Sequence, residues 1–313
     1  MNSIIKKIRK YLCDPRYRFV IDAGVFHRYD SMNDTQFIER MYEAKLKTIP
    51  NLDKPITFNE KLQWLKLNDR HPEYTIMVDK HLVKKYISDR IGEQYVIPTL
   101  GVWDSPDKID FDTLPKQFVL KCNHNSGLGM YICRDKSKMD IPKVKKGLQK
   151  GIKQDYYLTG REWPYKDIPR KFIAEAFLSD DNPDLIDYKV HNFNGEQKCI
   201  LVCKDRFQPS GLTEDFFTPV WEHLPVKRPK HPWSSSPIEK PAQLDEILEL
   251  SRKLSKDIPF LRTDFYIVNG KVYFSELTFY PASGFESYEP EEWDEIFGSW
   301  LKLPELPNEQ EVQ

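Results

Sequence analysis

Two alternating runs near the C-terminal end, Leu261 to Ile267 and Lys271 to Thr278, constrain this chain more than any other feature. Each alternates apolar and polar residues. Asn269-Gly270 between them is the strongest short-range signal for a β-hairpin. What such a hairpin can do depends on its register. A two-residue turn pairs Asp264 with Ser275 and sends Glu276 to the opposite face. A three-residue loop, Val268-Asn269-Gly270 with Gly270 left-handed, pairs Asp264 with Phe274 and Arg262 with Glu276. In that second register, the one expected here, Asp264 and Glu276 are diagonal neighbours on one face, roughly 7–8 Å apart at Cα. Two carboxylates so placed can share a divalent cation whose oxygen ligands lie at about 2.1 Å. Arg262 and Thr278 fall on the same face, and an arginine beside a cation suits phosphate chemistry. Acids on the polar face of a hairpin are ordinarily only solvated. Here Phe265, Ile267, Val272, Phe274 and Leu277 are too apolar for a free edge, so the charged face is expected to line a cleft.

The chain of 313 residues can bury a substantial core of two or three subdomains. Its 47 basic and 48 acidic residues nearly cancel, so no overall field favours nucleic acid or a membrane. With 18 Phe, 16 Tyr and 7 Trp, the chain is too aromatic to be disordered. Its five cysteines are odd in number and hold no Cys-x-x-Cys pair. That pattern suits neither a disulfide framework nor a structural zinc site, and fits a reducing compartment. No apolar run approaches the roughly 18 residues of a spanning helix, and the start lacks a signal-peptide core. The expected location is the cytoplasm. One asymmetry stands out between Asn2 and Val20: Lys6, Lys7, Arg9, Lys10, Arg16 and Arg18 face a single acid, Asp14. Ile4, Ile5, Ile8 and Leu12 fall at helical spacing beside them. Such a helix can rest on an anionic membrane surface, which would put the protein at the inner face of the membrane. The plainer reading is a surface helix that packs its isoleucines on the domain.

Helices are expected at Thr35 to Lys47, Asn59 to Asn68, Thr75 to Ile91, Ile141 to Lys153, Ala242 to Lys256 and Pro290 to Trp300. Thr57 can cap the second of these, with Lys61 where a capping box would place Glu and Glu60 as first-turn charge. Strands are expected at Tyr95-Val96-Ile97, Phe118 to Lys121, Met130 to Cys133, Lys171 to Leu178, Tyr188 to Asn192 and Glu196 to Lys204. The acidic stretch Asp104 to Leu114 reads as a subdomain border. From Thr218 to Pro241 six prolines fall in 24 residues, an irregular connection of a length usually functional or disordered. Its Trp221, His223 and Trp233 are candidates for acceptor contacts or a lid.

Three further groups carry chemistry. Lys121 ends a strand and precedes Asn123-His124-Asn125-Ser126-Gly127-Leu128-Gly129, a small-residue loop whose N–H groups can approach phosphate. It matches neither the Walker A pattern nor the dinucleotide fingerprint, and its order is the reverse of a protein kinase's. Glu175 interrupts the apolar strand Phe172 to Leu178, where a carboxylate is costly unless hydrogen-bonded or lining a pocket. Asp187-Tyr188-Lys189 places a second lysine on a strand. His124 can donate to an oxygen or be merely solvated, and no Ser-His-Asp or Cys-His arrangement stands out. Two lysines, a glycine loop, a pocket glutamate and a carboxylate pair together suit a nucleoside triphosphate with Mg²⁺.

The order of these pieces resembles the ATP-grasp superfamily. More specifically it resembles the TupA-like ATP-grasp family, linked to teichuronopeptide and surface-polysaccharide synthesis. The segments that carry the likeness are Pro55 to Lys61, Phe118-Val119-Leu120-Lys121-Cys122-Asn123-His124, Arg262-Thr263-Asp264-Phe265-Tyr266 and Ser275-Glu276-Leu277-Thr278-Phe279. The resemblance implies an α+β fold with two subdomains gripping ATP and a mainly helical N-terminal region. The implied divisions are a basic segment 1–54, an N-terminal subdomain 55–114, a small subdomain 115–182 with the phosphate loop, and a large subdomain 183–313 with the metal hairpin. Lys121 would contact the α- and β-phosphates, with Asn123, Ser126, Gly127 and Gly129 in the loop that closes over them. Glu175, Ala176, Phe177 and Leu178 would form the adenine hinge. Lys189 and Arg262 would face transferring phosphate, and Asp264, Glu276 and Thr278 would hold Mg²⁺. Many relatives carry Asn where this chain has Thr278, and a hydroxyl is the weaker metal ligand. Phe279 to Gly284 would shape the acid site.

The implied function is a carboxylate–amine ligase working through an acylphosphate. By resemblance the acid is a uronic acid of a surface glycan and the amine an amino acid, with no nucleic acid involved; a homodimer stays open. A kinase on the same fold, acting on a sugar hydroxyl, needs the same residues. A noncatalytic binder associated with a glycosyltransferase is the third reading, opposed by the retention of both lysines and both carboxylates.

Overall fold

The computed structural model describes residues 2–179 and 185–305. The expected boundary at 182/183 lies outside the described residues. In chain order the elements are α1 (Asn2–Cys13), α2 (Pro15–Gly24), α3 (Asp34–Leu46), α4 (Phe58–Asn68), α5 (Pro72–Val78), α6 (Val83–Ile91), β1 (Thr99–Trp103), β2 (Phe118–Cys122), β3 (Tyr131–Cys133), α7 (Ile141–Ile152), α8 (Tyr157–Gly160), β4 (Phe172–Ala176), β5 (Asp187–Phe193), β6 (Glu196–Lys204), β7 (Thr213–Phe217), α9 (Leu244–Leu254), β8 (Phe260–Val268), β9 (Lys271–Thr278) and α10 (Trp293–Trp300). They divide into two compact units. The first comprises 1–70, 157–163 and 280–313, and the second 71–156 and 164–279.

The first unit is helical. Phe19, Ala23, Phe37, Met41, Tyr42 and Phe285 form one of its buried clusters. α4 starts one residue earlier than expected, and this corrects the reading of its cap. With Thr57 as N-cap the third helical position is Glu60, not Lys61, and the capping box is complete. Lys66 on α4 is fully buried, and its ammonium donates to Gln63 Oε1 (2.8 Å), Gly160 O (2.7 Å) and Ser283 O (2.6 Å). Burial pulls this lysine down to about 7, although Glu162 and Asp34 oppose the fall. Together with Gln63 it ties down the turn after Tyr280, where Ala282 and Ser283 take left-handed φ of 48° and 56°. The N-terminal segment is two helices, because Asp14 caps α2 and Pro15 opens it. The α1 isoleucines do not pack on the unit: Ile4, Ile5 and Ile8 are all exposed.

The second unit carries two antiparallel sheets, ordered β1-β4-β2-β3 and β7-β6-β5-β8-β9. In the four-stranded sheet Phe118, Leu120 and Cys122 alternate with Val119 and Lys121. The first set joins Val144 and Leu148 of α7 in a buried core, which leaves the second set for the other face. In the five-stranded sheet Asn192 and Thr263 bond to Ser251 of α9, so α9 covers that face and the opposite one carries the charges. Two expectations fail here. The single helix 75–91 is broken between α5 and α6, where the Asp79 carboxylate accepts from the backbone N–H of His81 (2.8 Å) and Leu82 (3.3 Å). No strand forms at 95–97: Tyr95 ends a short 3₁₀ turn, Glu93–Tyr95, and the pairing strand β1 begins at Thr99 instead. β7 has no counterpart among the expected strands.

The hairpin β8–β9 also differs in register from both alternatives. Its turn has two residues, Asn269 and Gly270 at φ 50° and 74°, so Val268 pairs Lys271. Asp264 nevertheless lies directly opposite Glu276, because a bulge lets Phe265 oppose Phe274 and leaves Ser275 as the extra residue. The carboxylates are therefore direct cross-strand partners, not the diagonal neighbours of a three-residue loop. Five cysteines are free, and all but Cys13 are buried. No described helix is long and apolar enough to cross a membrane.

Candidate active site

Alternation on β2 and β4 places Val119, Lys121 and Glu175 on one face of the four-stranded sheet. Lys121 pairs with Ile173, which makes Glu175 its diagonal neighbour, and the two form an ion pair. Lys84 of α6 reaches the other Glu175 oxygen at 2.7 Å. Burial alone would raise this carboxyl. The Lys121 and Lys84 ammoniums outweigh that and hold Glu175 at about 2. Burial also draws Lys84 below its ordinary value, with Glu175 opposing.

The charged face of the five-stranded sheet repeats the motif on a larger scale. Asp264 is fully buried. Its carboxylate accepts two bonds from Arg262 on its own strand, both 2.7 Å, and one of 2.5 Å from Lys189 on β5, which lies directly opposite. Burial would raise Asp264, but Arg262 and then Lys189 bring it to about 2. Burial would lower Arg262 and Lys189, and in both the carboxylates win, so both ammonium and guanidinium charges are reinforced. Arg262 also donates to Thr278 Oγ1 at 3.0 Å and lies 3.8 Å from Glu276. Glu276 is held more loosely, with Lys80 at 3.5 Å and a side chain 30% exposed. Lys80 also donates to Asn125 O in the loop after β2, at 2.8 Å. Asp187 completes the network, 3.6 Å from Lys189 and 2.9 Å from Arg206. Burial, reinforced by Arg262, holds the next inward residue, His191, at about 3, so it is neutral.

A pocket of about 390 Å³ within the second unit touches members of both clusters. Lys121 and Glu175 border it from one sheet, Asp187, Arg206 and Tyr266 from the other. Ile97, Val119, Ile132, Phe177 and Leu178 supply apolar walls, the mixture of a flat apolar slot with a few convergent polar groups that a nucleoside needs. Asp187 Oδ1 is buried and has no hydrogen-bond partner among the described residues.

The residues singled out from sequence separate into three groups. Lys121, Glu175, Ala176, Phe177 and Leu178 line the pocket. Lys189, Arg262, Asp264, Glu276 and Thr278 form the adjoining ion network, connected to the pocket through Asp187. The loop residues are not brought together with them. Asn123 is buried scaffold: its amide donates to Asp79 Oδ1 and Pro169 O, both 3.0 Å, and accepts from Lys171 N at 2.7 Å. Ser126 and Gly127 are exposed. Gly129, at φ +79°, packs so closely that a Cβ would come within 2.9 Å of Gly151 Cα. His124 faces the Gln154 carbonyl at 3.0 Å. In the Pro-rich stretch Trp221 stacks on Phe217 (4.5 Å, 12°) and His223 pairs with Asp215 at 3.0 Å, so this segment packs on β7. The sequence reading missed Lys80, Lys84 and Arg206 as partners of the site acids. Lys80 and Lys84 sit in a run that reads as ordinary helix surface, and only the break at Asp79 could have flagged them.

The profile of the TupA-like ATPgrasp family matches residues 60–302. The chain belongs to the TupA-like ATP-grasp family. An ATP-grasp fold of α+β type follows, and the cofactors of the family are ATP and Mg²⁺. Among solved structures the chain is similar to D-alanine–D-alanine ligase from Bacillus anthracis complexed with ATP, at 18% identity and TM-score 0.40, covering 65% of this chain and 55% of that one. It is also similar to D-alanine–D-alanine ligase from Helicobacter pylori, at 17% identity and TM-score 0.42, with 79% and 69% covered. A third similar structure is the ATP-grasp ligase PsnB with minimal precursor, Mg and ADP, at 11% identity and TM-score 0.39, with 85% and 65% covered. This chain thus spans little more than half of the first of these proteins. No curated protein matches.

The donor set fits Mg²⁺ that arrives with a polyphosphate. Among the described residues no three His, Cys, Asp or Glu side chains converge as a cage. Mg²⁺ ordinarily takes one or two carboxylates and completes its shell with phosphate and water. Glu276, loosely held, is the freer carboxylate of this TupA-like site, and Asp264 is committed to its two cations. Around them Lys80, Lys189, Arg206 and Arg262 outnumber Asp187, Asp264 and Glu276, which favours a polyanion over a bare cation.

Proposed function

We propose that this protein is an ATP-dependent carboxylate–amine ligase that joins an amino acid to a uronic acid of a surface polysaccharide or its precursor. The observation that carries this reading is one apolar-walled pocket lined by Lys121 and Glu175 of the first cation-rich cluster and by Asp187 and Arg206, through which the Lys189–Asp264–Arg262 network adjoins it. Family membership names the nucleotide. The geometry supports the following residue roles. Phe177 and Leu178 wall the base. Asp187 Oδ1 accepts a hydroxyl of the ribose or a donor at the same depth. Lys121 turns from Glu175 to the phosphates, and Lys84 keeps Glu175 paired when it does.

An oxygen of the acid substrate attacks the γ-phosphorus, the bond to the β-phosphate oxygen breaks, and ADP leaves. The amine then attacks the acyl carbon and loses a proton, and inorganic phosphate departs as the amide forms. Both steps concentrate negative charge on oxygens, and Lys189 and Arg262 are fixed cations placed to meet it. Mg²⁺ held by Glu276, with Asp264 opposite it on the hairpin, would neutralise phosphate charge in the first step. The test supplies ATP, Mg²⁺ and a panel of uronic acids with hydroxylamine in place of the amine. ADP with a trapped hydroxamate is the expected result. ADP with a phosphate ester stable to hydroxylamine would instead make the protein a sugar kinase.

A further inference from the structure

α1 is barely attached to the unit that carries it. Every side chain from Ile4 to Lys10 is exposed, and the helix meets α2 at Tyr11, whose hydroxyl donates to Asp22 at 2.6 Å. Ile4, Ile8 and Leu12 recur every four residues with Ile5 beside them, which makes one apolar stripe. They are 66%, 55%, 65% and 57% exposed respectively. Val25 and Phe26 at the end of α2 are also exposed, and the Phe26 ring lies 6.3 Å from that of Tyr11, extending the apolar surface. Lys6, Lys7, Arg9 and Lys10 occupy the rest of the helix circumference, and Asp14 is the only acid before Val20.

We propose that α1 is an interfacial helix that lays its isoleucine stripe into an anionic lipid surface. Charge decides the occupant. A second copy docking through the same stripe would bring its own four cations against Lys6, Lys7, Arg9 and Lys10. Anionic lipid satisfies the stripe and the cations together. Twelve residues span about 18 Å, well short of the roughly 30 Å hydrocarbon core, so the helix lies in the interface and does not cross it.

The full chain is sedimented with phosphatidylcholine vesicles, with and without phosphatidylglycerol. Binding only to the anionic vesicles, weakening as salt is raised, is expected. Ile4→Gln/Ile8→Gln/Leu12→Gln keeps helix propensity and every cation, and should weaken binding roughly tenfold or more. Lys6→Gln/Lys7→Gln/Lys10→Gln keeps the stripe and should weaken it roughly a hundredfold, at about fivefold per cation. Unchanged ATP binding by both variants checks their folding. Three results would each overturn the proposal: wild type that ignores anionic vesicles, a stripe variant that binds them as wild type does, or a concentration-dependent dimer that the stripe variant abolishes without vesicle binding.

Discussion

The two sheets of the second unit each bury a carboxylate among cations, but they hold it differently. Glu175 lies between two ammoniums from separate elements, β2 and α6. Asp264 is gripped by the planar fork of Arg262 on its own strand, with Lys189 added from the neighbouring strand. An ammonium is a compact charge on a flexible stem, whereas a bidentate guanidinium fixes both distance and plane. On the role proposed for Lys121, the first cluster opens, with Lys121 exchanging carboxylate for phosphate while Lys84 stays behind. The second is a fixed platform: Lys189 is held at 2.5 Å on the same carboxylate that Arg262 grips through two bonds.

The harshest test of this contrast is Asp264→Asn. Two cations lose their common anion, and ATP turnover should fall on the order of a hundredfold or more. Breaking such a buried pair should also cost about 3–5 kcal/mol, read by denaturant unfolding. Equal damage from Glu175→Gln would erase the distinction between platform and latch. Lys121→Met comes next. Nucleotide affinity should drop roughly tenfold to a hundredfold by calorimetry, as for one charge-assisted contact, while Lys84 keeps the fold intact. A fold collapse in that variant would show that Lys121 is structural.

Acid titration sharpens the comparison further. Glu175 sits at about 2 in the fold against an ordinary 4.5. A carboxyl lowered by folding stabilises the protein above its unfolded value, and that contribution is lost as pH falls through the folded value. Stability should therefore decline from about pH 4.5 toward pH 2, with Glu175 accounting for about 3 kcal/mol at most. Asp264, lowered from 3.8 to about 2, declines over a window that starts a little lower. Glu175→Gln should flatten the upper part of the decline; an unaltered curve would contradict the pairing. The smallest effect expected is that of Gly270→Ala. At φ +74° the new Cβ is strained, and the hairpin should lose about 1 kcal/mol with the active site otherwise intact.

Much of the site was legible before any coordinates. The Asn-Gly hairpin, Lys121 at a strand end and Glu175 in an apolar strand are local patterns, each readable from a window of a few residues. The bulge at Ser275 was not, because a two-residue turn and an extra residue five positions beyond it together produce the same face as a longer loop. Lys80 and Lys84 escaped for a different reason. Their partners Glu276 and Glu175 lie far along the chain, and nothing local marks a surface lysine as one that folds inward. Asn123 erred in the opposite direction, since its loop composition suits phosphate while its amide is spent on Asp79, Pro169 and Lys171.

Sequence alone determined the family, the order of the pieces and the hairpin that carries the acids, because turn chemistry and alternation act between near neighbours. Tertiary structure alone decided which cations balance which acids and which strand residue is squeezed out of register. Those outcomes depend on Coulomb attraction and packing between segments that meet only after the chain has folded.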